Sequence, residues 1–498
     1  MIMNDIESQL RRVPLTLHPE PKRVLLRPFI PSLIVKPMSN EEANPRVVNL
    51  FSRLMQMTDE AVEEKLKDVF SEFDERHQRI HDIFLERYHQ IESLLPTENA
   101  LSESRALLLG AYFTNEYSFE SSALFNPSII PSPDQGGLQE GELRFILSLR
   151  ATGEGHVSSI TFRSGIVASD GDIRMDDVSR FVHLPRPMAA ARYDKKTFQR
   201  KLQEINVEYA DAMACTRDLK ESFSFSELSD QVQRMRTTAE EPNVRRAAER
   251  ALLLAQANYT VSFPEGLSMS EKVLFPFAPT ESNGIEDARF VKFIEDDGST
   301  NYYATYTAYD GNVVFPQLLQ TRDFHEFNIA TLNGPVVKNK GMALFPKKIN
   351  GRYAMLGRQD GENITLMYSD HLHFWYESRV IIRPSEPWQF VQIGNCGSPI
   401  ETPAGWLVLT HGVGPMRKYS LGALLLDLNN PAKVLGRLKK PLLRPMPDER
   451  EGYVPNVLYS CGSLIHGNNL ILPYAISDTS TRFAIVPVET LIEGILNG

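Results

Sequence analysis

From residue 260 to the C-terminus the chain runs as short, apolar-alternating stretches broken by turn signals, with no helical period between them. This pattern constrains the fold more than any other feature. The breaks are Asp310-Gly311, Asn350-Gly351, Asp360-Gly361, Ala404-Gly405 and Gly467-Asn468-Asn469. Asn-Gly and Asp-Gly supply the positive φ angles that tight hairpins demand, and strands recurring about every 8–12 residues without helices imply a sandwich, a barrel or a propeller. Two segments repeat in outline: Ala343-Leu344-Phe345-Pro346 through Arg358, and Ser398-Pro399-Ile400 through His411. Each has an apolar entry, a glycine-bearing turn and a strand ending in a cationic or titratable group. A propeller blade has this form, because every blade delivers a strand end to a central axis.

Upstream the texture alternates. An N-terminal segment, 1–43, contains Arg23-Val24-Leu25-Leu26-Arg27-Pro28-Phe29, which reads as a short strand ended by Pro28 and Pro31 and joining the main β domain. Over 44–113 the period becomes helical: Val62, Leu66, Val69, Phe73, Ile80, Phe84, Tyr88, Ile91 and Leu95 recur at three- and four-residue steps between charged residues. Thr58-Asp59-Glu60 opens this helix with acids at the end its dipole favours, Pro96 stops it, and a shorter apolar helix follows at 103–113. Residues 114–194 return to β, with strands at 143–150 and 158–163 and a hairpin-type turn at Ser169-Asp170-Gly171-Asp172. Residues 195–259 form a helical insertion, and 260–498 hold the remaining strands. Each helical segment has one apolar face that needs a partner, so the two are expected to pack as one layer outside the β domain, with surface left over for self-association.

A net charge of -10 over 498 residues excludes the basic stripe that a nucleic-acid partner requires. Met1 to Arg12 is polar where a secretory leader needs an apolar core, and no run of about 18 apolar residues occurs, so the expectation is a cytoplasmic protein with no membrane partner. Cys215, Cys396 and Cys461 are too far apart in sequence for a disulfide framework or a metal site. Neither a metal nor an organic cofactor is expected.

Gly284-Ile285-Glu286-Asp287-Ala288-Arg289 sets two acids beside an arginine where a loop enters the alternating run 290–294, which presents carboxyls at a strand end. Asp287 is the candidate acid; the alternative is a turn acid beside a strand-edge base. The other strand-end and loop groups are Asn126, Arg150, His156, Arg163, Asp170, Arg289, Asp310, Lys340, Arg358, His411, Arg417, Tyr419 and Asp478. Cations beside a few carboxylates suit an anion and a polyol. Phosphate-loop, dinucleotide, zinc-peptidase and nucleophile-elbow motifs are missing from the sequence.

Several of these stretches together carry a resemblance: 284–289; Tyr306-Thr307-Ala308-Tyr309-Asp310-Gly311; Asn339-Lys340 with 343–353; His411-Gly412-Val413-Gly414 with Tyr419; Leu425-Leu426-Asp427-Leu428; and Gly452-Tyr453-Val454-Pro455-Asn456-Val457. In order and content they resemble glycoside hydrolase family 130, the β-mannoside phosphorylases and their hydrolytic relatives, over 124–184 and 260–498. The resemblance implies a mainly β chain, a five-bladed β-propeller, to which the helical segments add an α-helical layer. It implies a terminal β-mannosyl unit of a manno-oligosaccharide in the axial pocket, cleaved with inversion. Asp287 would be the acid, acting through a sugar hydroxyl. Lys340, Arg358 and His411 would hold inorganic phosphate as co-substrate. Asn126, Arg150, Asp310 and Asp478, together with Arg163, Arg289 and Tyr419, would contact the sugar. Three positions depart from the family pattern, Ala288, Gly341 and Gly357, and the last two fall beside the expected phosphate cradle. Hydrolysis is therefore the alternative to phosphorolysis, with Glu401 or Glu451 as the base that activates water. A silent sugar-binding propeller is a third reading.

Overall fold

The computed structural model describes residues 6, 8–29, 45–92, 95, 101–188, 192–238 and 242–497. Two compact units emerge: Met1–Glu20, Glu120–Ser179 and His183–Gly498 in one, Pro21–Phe119 and Arg180–Val182 in the other.

The larger unit holds five antiparallel sheets of four or more strands. The first is built on Ala123–Pro131, Leu143–Thr152 and Ser158–Val167, and the second on Ile285–Ile294, Thr300–Tyr309, Val314–Thr321 and Glu326–Thr331. The third runs Ala343–Leu344, Tyr353–Gly357, Ile364–Ser369, Ser378–Ile382. The fourth runs Gln392–Asn395, Gly405–Val413, Tyr419–Leu426, Val434–Arg437. The fifth joins the C-terminal strands Asn469–Ile476 and Ser480–Pro487 to Arg11–Leu17. Turn chemistry sets the hairpins: Asn350 and Gly351 have φ of 51° and 77°, and Ile349 and Arg352 exchange backbone hydrogen bonds, as a two-residue type I′ turn requires.

Each sheet shares an apolar core with two others. Ile146 and Phe162 of the first meet Phe290 and Phe327 of the second. Phe293 and Leu318 meet Leu344 and Met355 of the third, and Leu356 and Leu366 meet Trp406 and Leu424 of the fourth. Leu409 and Leu425 meet Leu470 and Leu472 of the fifth, while Ala475 returns to Ala123 and Phe125 of the first. Trp375 and Trp406 are fully buried in these cores.

The insertion comprises the helices Lys195–Glu204, Tyr209–Thr216, Phe225–Thr238 and Pro242–Gln256, whose apolar faces close on one another around Phe198, Leu202, Phe223, Leu228 and Ala251. The smaller unit does the same with Pro45–Met55, Asp59–Phe73, Ile80–Ile91 and Glu103–Tyr112, around Phe51, Leu66, Phe84 and Leu108. Thr58 caps its helix by accepting from the Ala61 N–H at 3.3 Å. Each of the two helical sets thus has a core of its own, since four amphipathic helices are enough to cover one another. A correction concerns the N-terminal strand. Val24–Pro28 pairs with Thr114–Ser118 in a two-stranded sheet of the smaller unit, and it is Arg11–Leu17 that enters a large sheet. Pro31 and Pro96 lie outside the described residues. Among those described, no helix is long and apolar enough to cross a membrane.

Candidate active site

All five large sheets send side chains to one cluster. On the strand Ile285–Ile294 the register slips between Glu286 and Arg289, and on Ala123–Pro131 it slips between Phe125 and Ser128. Such bulges re-aim a side chain out of the alternation. The first residue left at each slip is in the left-handed region, Asp287 with φ 56° and Asn126 with φ 48°; Asp478, at a turn of the fifth sheet, has φ 50°. Asn126 Nδ2 donates to Asp287 Oδ1 at 2.6 Å. Arg150 spans both acids, with Nη2 2.8 Å from Glu286 Oε1 and Nη1 3.4 Å from Asp287 Oδ1, and its Nε bonds Ser158 Oγ at 2.9 Å. Lys340 pairs with the other oxygen of Glu286.

A second group adjoins the first. Arg289, buried, donates to the Asn395 carbonyl at 2.8 Å and to the Tyr459 hydroxyl at 2.7 Å. The ring of His411 lies 4.9 Å from that of Tyr459 and stacks on Tyr419 at 5.9 Å. Arg358 Nη1 lies 3.0 Å from His411 Nε2, and Arg358 Nε is buried without a partner. Gly394 faces the imidazole so closely that a Cβ there would come within 2.4 Å of it. At Gly357, Gln359 occupies the space a side chain would fill, 2.3 Å from the position of a Cβ. A Cβ at Gly341, by contrast, would meet only the Arg289 guanidinium, at 3.7 Å.

The charges shift the two aspartates in opposite directions. Burial pushes the Asp287 carboxyl up, but Arg150, Lys340, the Asn126 hydrogen bond and Arg289 outweigh it and hold Asp287 below its ordinary value. Burial and the neighbouring Asp287 push Asp478 up to about 6, against the pull of Arg150 and Arg417. His411 is driven well below its usual range by burial, then by Arg358 and Arg289. It is therefore neutral, so that Nε2 accepts from Arg358, and the expected trio of cations is two cations and a neutral acceptor.

The raised Asp478 makes a test with a definite sign. The folded state keeps a proton on Asp478 between the unfolded value of roughly 4 and the folded value of about 6, so its contribution to stability is present below pH 4 and lost as pH rises through 6. Asp478→Asn, which tolerates the same backbone, should raise the melting temperature relative to wild type at pH 8 and much less at pH 4. An equal shift at both pH values would refute the assignment.

Several expected site residues are placed elsewhere. Arg163 is buried and ion-paired with buried Glu120, at 3.2 and 3.0 Å, with a further bond to the Phe162 carbonyl. Its charge was legible in sequence; its partner, 43 positions away, was not. Arg163→Met should cost about 3–5 kcal/mol in denaturant unfolding, because it takes one partner from a buried ion pair; a cost under about 1 kcal/mol would contradict this. Asp310 spends Oδ1 on the backbone N–H groups of Asn312 and Val313, at 2.8 and 2.7 Å, closing its own turn. Glu401 forms an exposed pair with Lys347 at 2.8 Å; it lies opposite Trp406, five residues from His411 along one strand, or about 17 Å. Glu451 is exposed. Glu401 is thus outside the cluster. Asp170 closes the turn to Asp172, and His156 stacks on Tyr453 at 5.7 Å. Sequence reasoning missed Glu286 as a member in its own right, along with Asn395 and Tyr459. Glu286 stood beside Asp287 in the same motif, whereas the other two carried no local signal.

Residues 264–496 match a family model described as β-1,4-mannooligosaccharide phosphorylase. A 1,2-β-oligomannan phosphorylase of Thermoanaerobacter sp. (strain X514) is 33% identical over 249 residues, 48% of this chain and 80% of that protein. A β-1,2-mannobiose phosphorylase of the same organism is 33% identical over 263 residues, 50% of this chain and 82% of that one. Among solved structures, the β-1,2-mannobiose complex of a β-1,2-mannobiose phosphorylase from Listeria innocua aligns with a TM-score of 0.46 and 22% identity, over 76% of this chain and 93% of that one.

Proposed function

Because the chain belongs to glycoside hydrolase family 130, we propose that it is an inverting β-mannoside phosphorylase, which transfers a terminal mannosyl unit from a manno-oligosaccharide to inorganic phosphate and releases mannose 1-phosphate. The observation that carries this reading is the pairing of two carboxylates, Asp287 and Glu286, against Arg150 and Lys340 in one cluster. We read the five sheets, each sharing cores with two others, as the blades of a five-bladed propeller with this cluster at its axis.

In this mechanism phosphate arrives already anionic, so no base has to create the nucleophile. Lys340 and Arg358 need only hold it in line with the anomeric carbon, where Arg358 can engage two oxygens at once. The same step prepares the acid. Arg150 and Lys340 hold Asp287 toward its ionised form, and a phosphate drawn to these cations offsets their pull, so the carboxyl rises toward the range in which it carries a proton. The proton then passes through a sugar hydroxyl to the leaving oxygen, with Asn126 orienting Asp287. Asp478 and Tyr419 are assigned to the sugar. Arg289, spent on Asn395 and Tyr459, instead fixes the wall of the site.

Hydrolysis would require a carboxylate base across from Asp287, and the position of Glu401 weighs against it. Self-association through the helical surface and a cytoplasmic location belong to the same reading, to be tested by light scattering and by cell fractionation. The deciding experiment incubates the protein with β-1,2- and β-1,4-mannobiose, with and without phosphate, and separates mannose 1-phosphate from mannose. Full-rate release of mannose in phosphate-free buffer would sink phosphorolysis.

A further inference from the structure

Where the insertion meets the second sheet, a pocket of about 140 Å³ is lined by the helix Lys195–Glu204 and the strands Arg192–Asp194, Tyr259–Ser262 and Glu326–Thr331. A single water has a share of roughly 30 Å³. Lys201, only 5% exposed, lines this pocket and donates to Asn258 Oδ1 at 2.6 Å. That oxygen already accepts from the Thr331 N–H at 3.1 Å and the Thr331 hydroxyl at 3.3 Å, while the amide nitrogen donates to the Leu254 carbonyl at 2.6 Å. An ammonium carries three donors, and the other two of Lys201 meet no partner among the described residues. Its one recorded partner is neutral. Asp194 also lines the pocket, but its Oδ1 accepts from the Thr197 N–H at 2.8 Å, capping the helix. Arg192, exposed, lines it as well; its Nε bonds Ser222 Oγ at 3.0 Å and its guanidinium lies 3.6 Å from Glu227.

A buried ammonium with no counter-charge is costly, and a protein resolves it by shedding the proton or by taking an anion. Burial has pushed Lys201 down to about 7, so near neutrality both routes are open. The room beside the amine, two unused donors and a second cation on the wall all favour the anion.

We propose that this pocket is a binding site for a small oxyanion, separate from the candidate active site, with Lys201 as the counter-charge. Phosphate and a small carboxylate share the chemistry that would be recognised.

Calorimetric titration at pH 7 with inorganic phosphate, and separately with acetate, tests the assignment. The host is Arg358→Ala, so that binding at the candidate active site does not mask the second site. At least one of the two anions should bind, and which one does identifies the source. Adding Lys201→Met, close in volume, should weaken that binding roughly tenfold or more. Asn258→Asp supplies a built-in carboxylate 2.6 Å from the amine and should abolish external binding in a protein that still folds, which covers the case in which Lys201→Met does not. Failure of both anions to bind, or binding indifferent to Lys201→Met and Asn258→Asp, would overturn the proposal.

Discussion

Asp287→Asn is expected to reduce mannoside cleavage by a factor of about 10² to 10⁴, the usual worth of a positioned general acid, while leaving the fold intact. The substitution removes the ionisable proton and little else. Asparagine tolerates the left-handed backbone at φ 56°, and its side-chain oxygen still accepts from Asn126 Nδ2. Arg150 retains Glu286 at 2.8 Å, so no buried cation is stranded. Single-turnover release of mannose 1-phosphate would measure the effect, with circular dichroism to check the fold. Turnover equal to wild type would remove Asp287 from the reaction.

Arg358→Ala is expected to raise the phosphate concentration needed for half-maximal rate roughly ten- to a hundredfold, since one charge-assisted contact is worth about 1.5–3 kcal/mol. Nη1 of this guanidinium faces His411, and its buried Nε has no partner among the described residues. Arg358→Lys should recover only part of the loss, because a point charge cannot engage two oxygens. Affinity for mannobiose should change much less than affinity for phosphate. An unchanged phosphate requirement in Arg358→Ala would dissociate this residue from the nucleophile.

Much of this was legible in the sequence because the signals were local. Asn350-Gly351 announces its hairpin, Thr58 its cap, and Glu286-Asp287 its strand-end pair of acids. What failed depends on partners distant in the chain. Arg163 reads like Arg150, both being arginines in adjacent strands of one sheet, yet one meets Glu120 and the other Glu286 and Asp287. Charge counting made His411 a cation, whereas burial, and after it the guanidinium beside it, makes it neutral. Which of the strands at 24–28 and 11–17 enters a large sheet is decided by their pairing partners, which lie far along the chain. The helical periodicity marked each amphipathic face correctly but could not say which face would cover which.

The left-handed backbone at Asn126, Asp287 and Asp478 has a consequence for inheritance. Among side chains that carry a hydrogen-bonding or acidic head, asparagine and aspartate enter this conformation most readily. A lengthening such as Asp287→Glu therefore meets a conformational obstacle as well as a misplaced carboxyl, while Asp to Asn and back is conformationally silent. Lineages descending from this chain can switch such a position between charged and neutral by a single exchange, but they cannot drift gradually through longer or branched residues without first rebuilding the bulge. The site is thus poised to lose or regain its acid abruptly, and a sugar-binding relative that no longer cleaves would lie one substitution away.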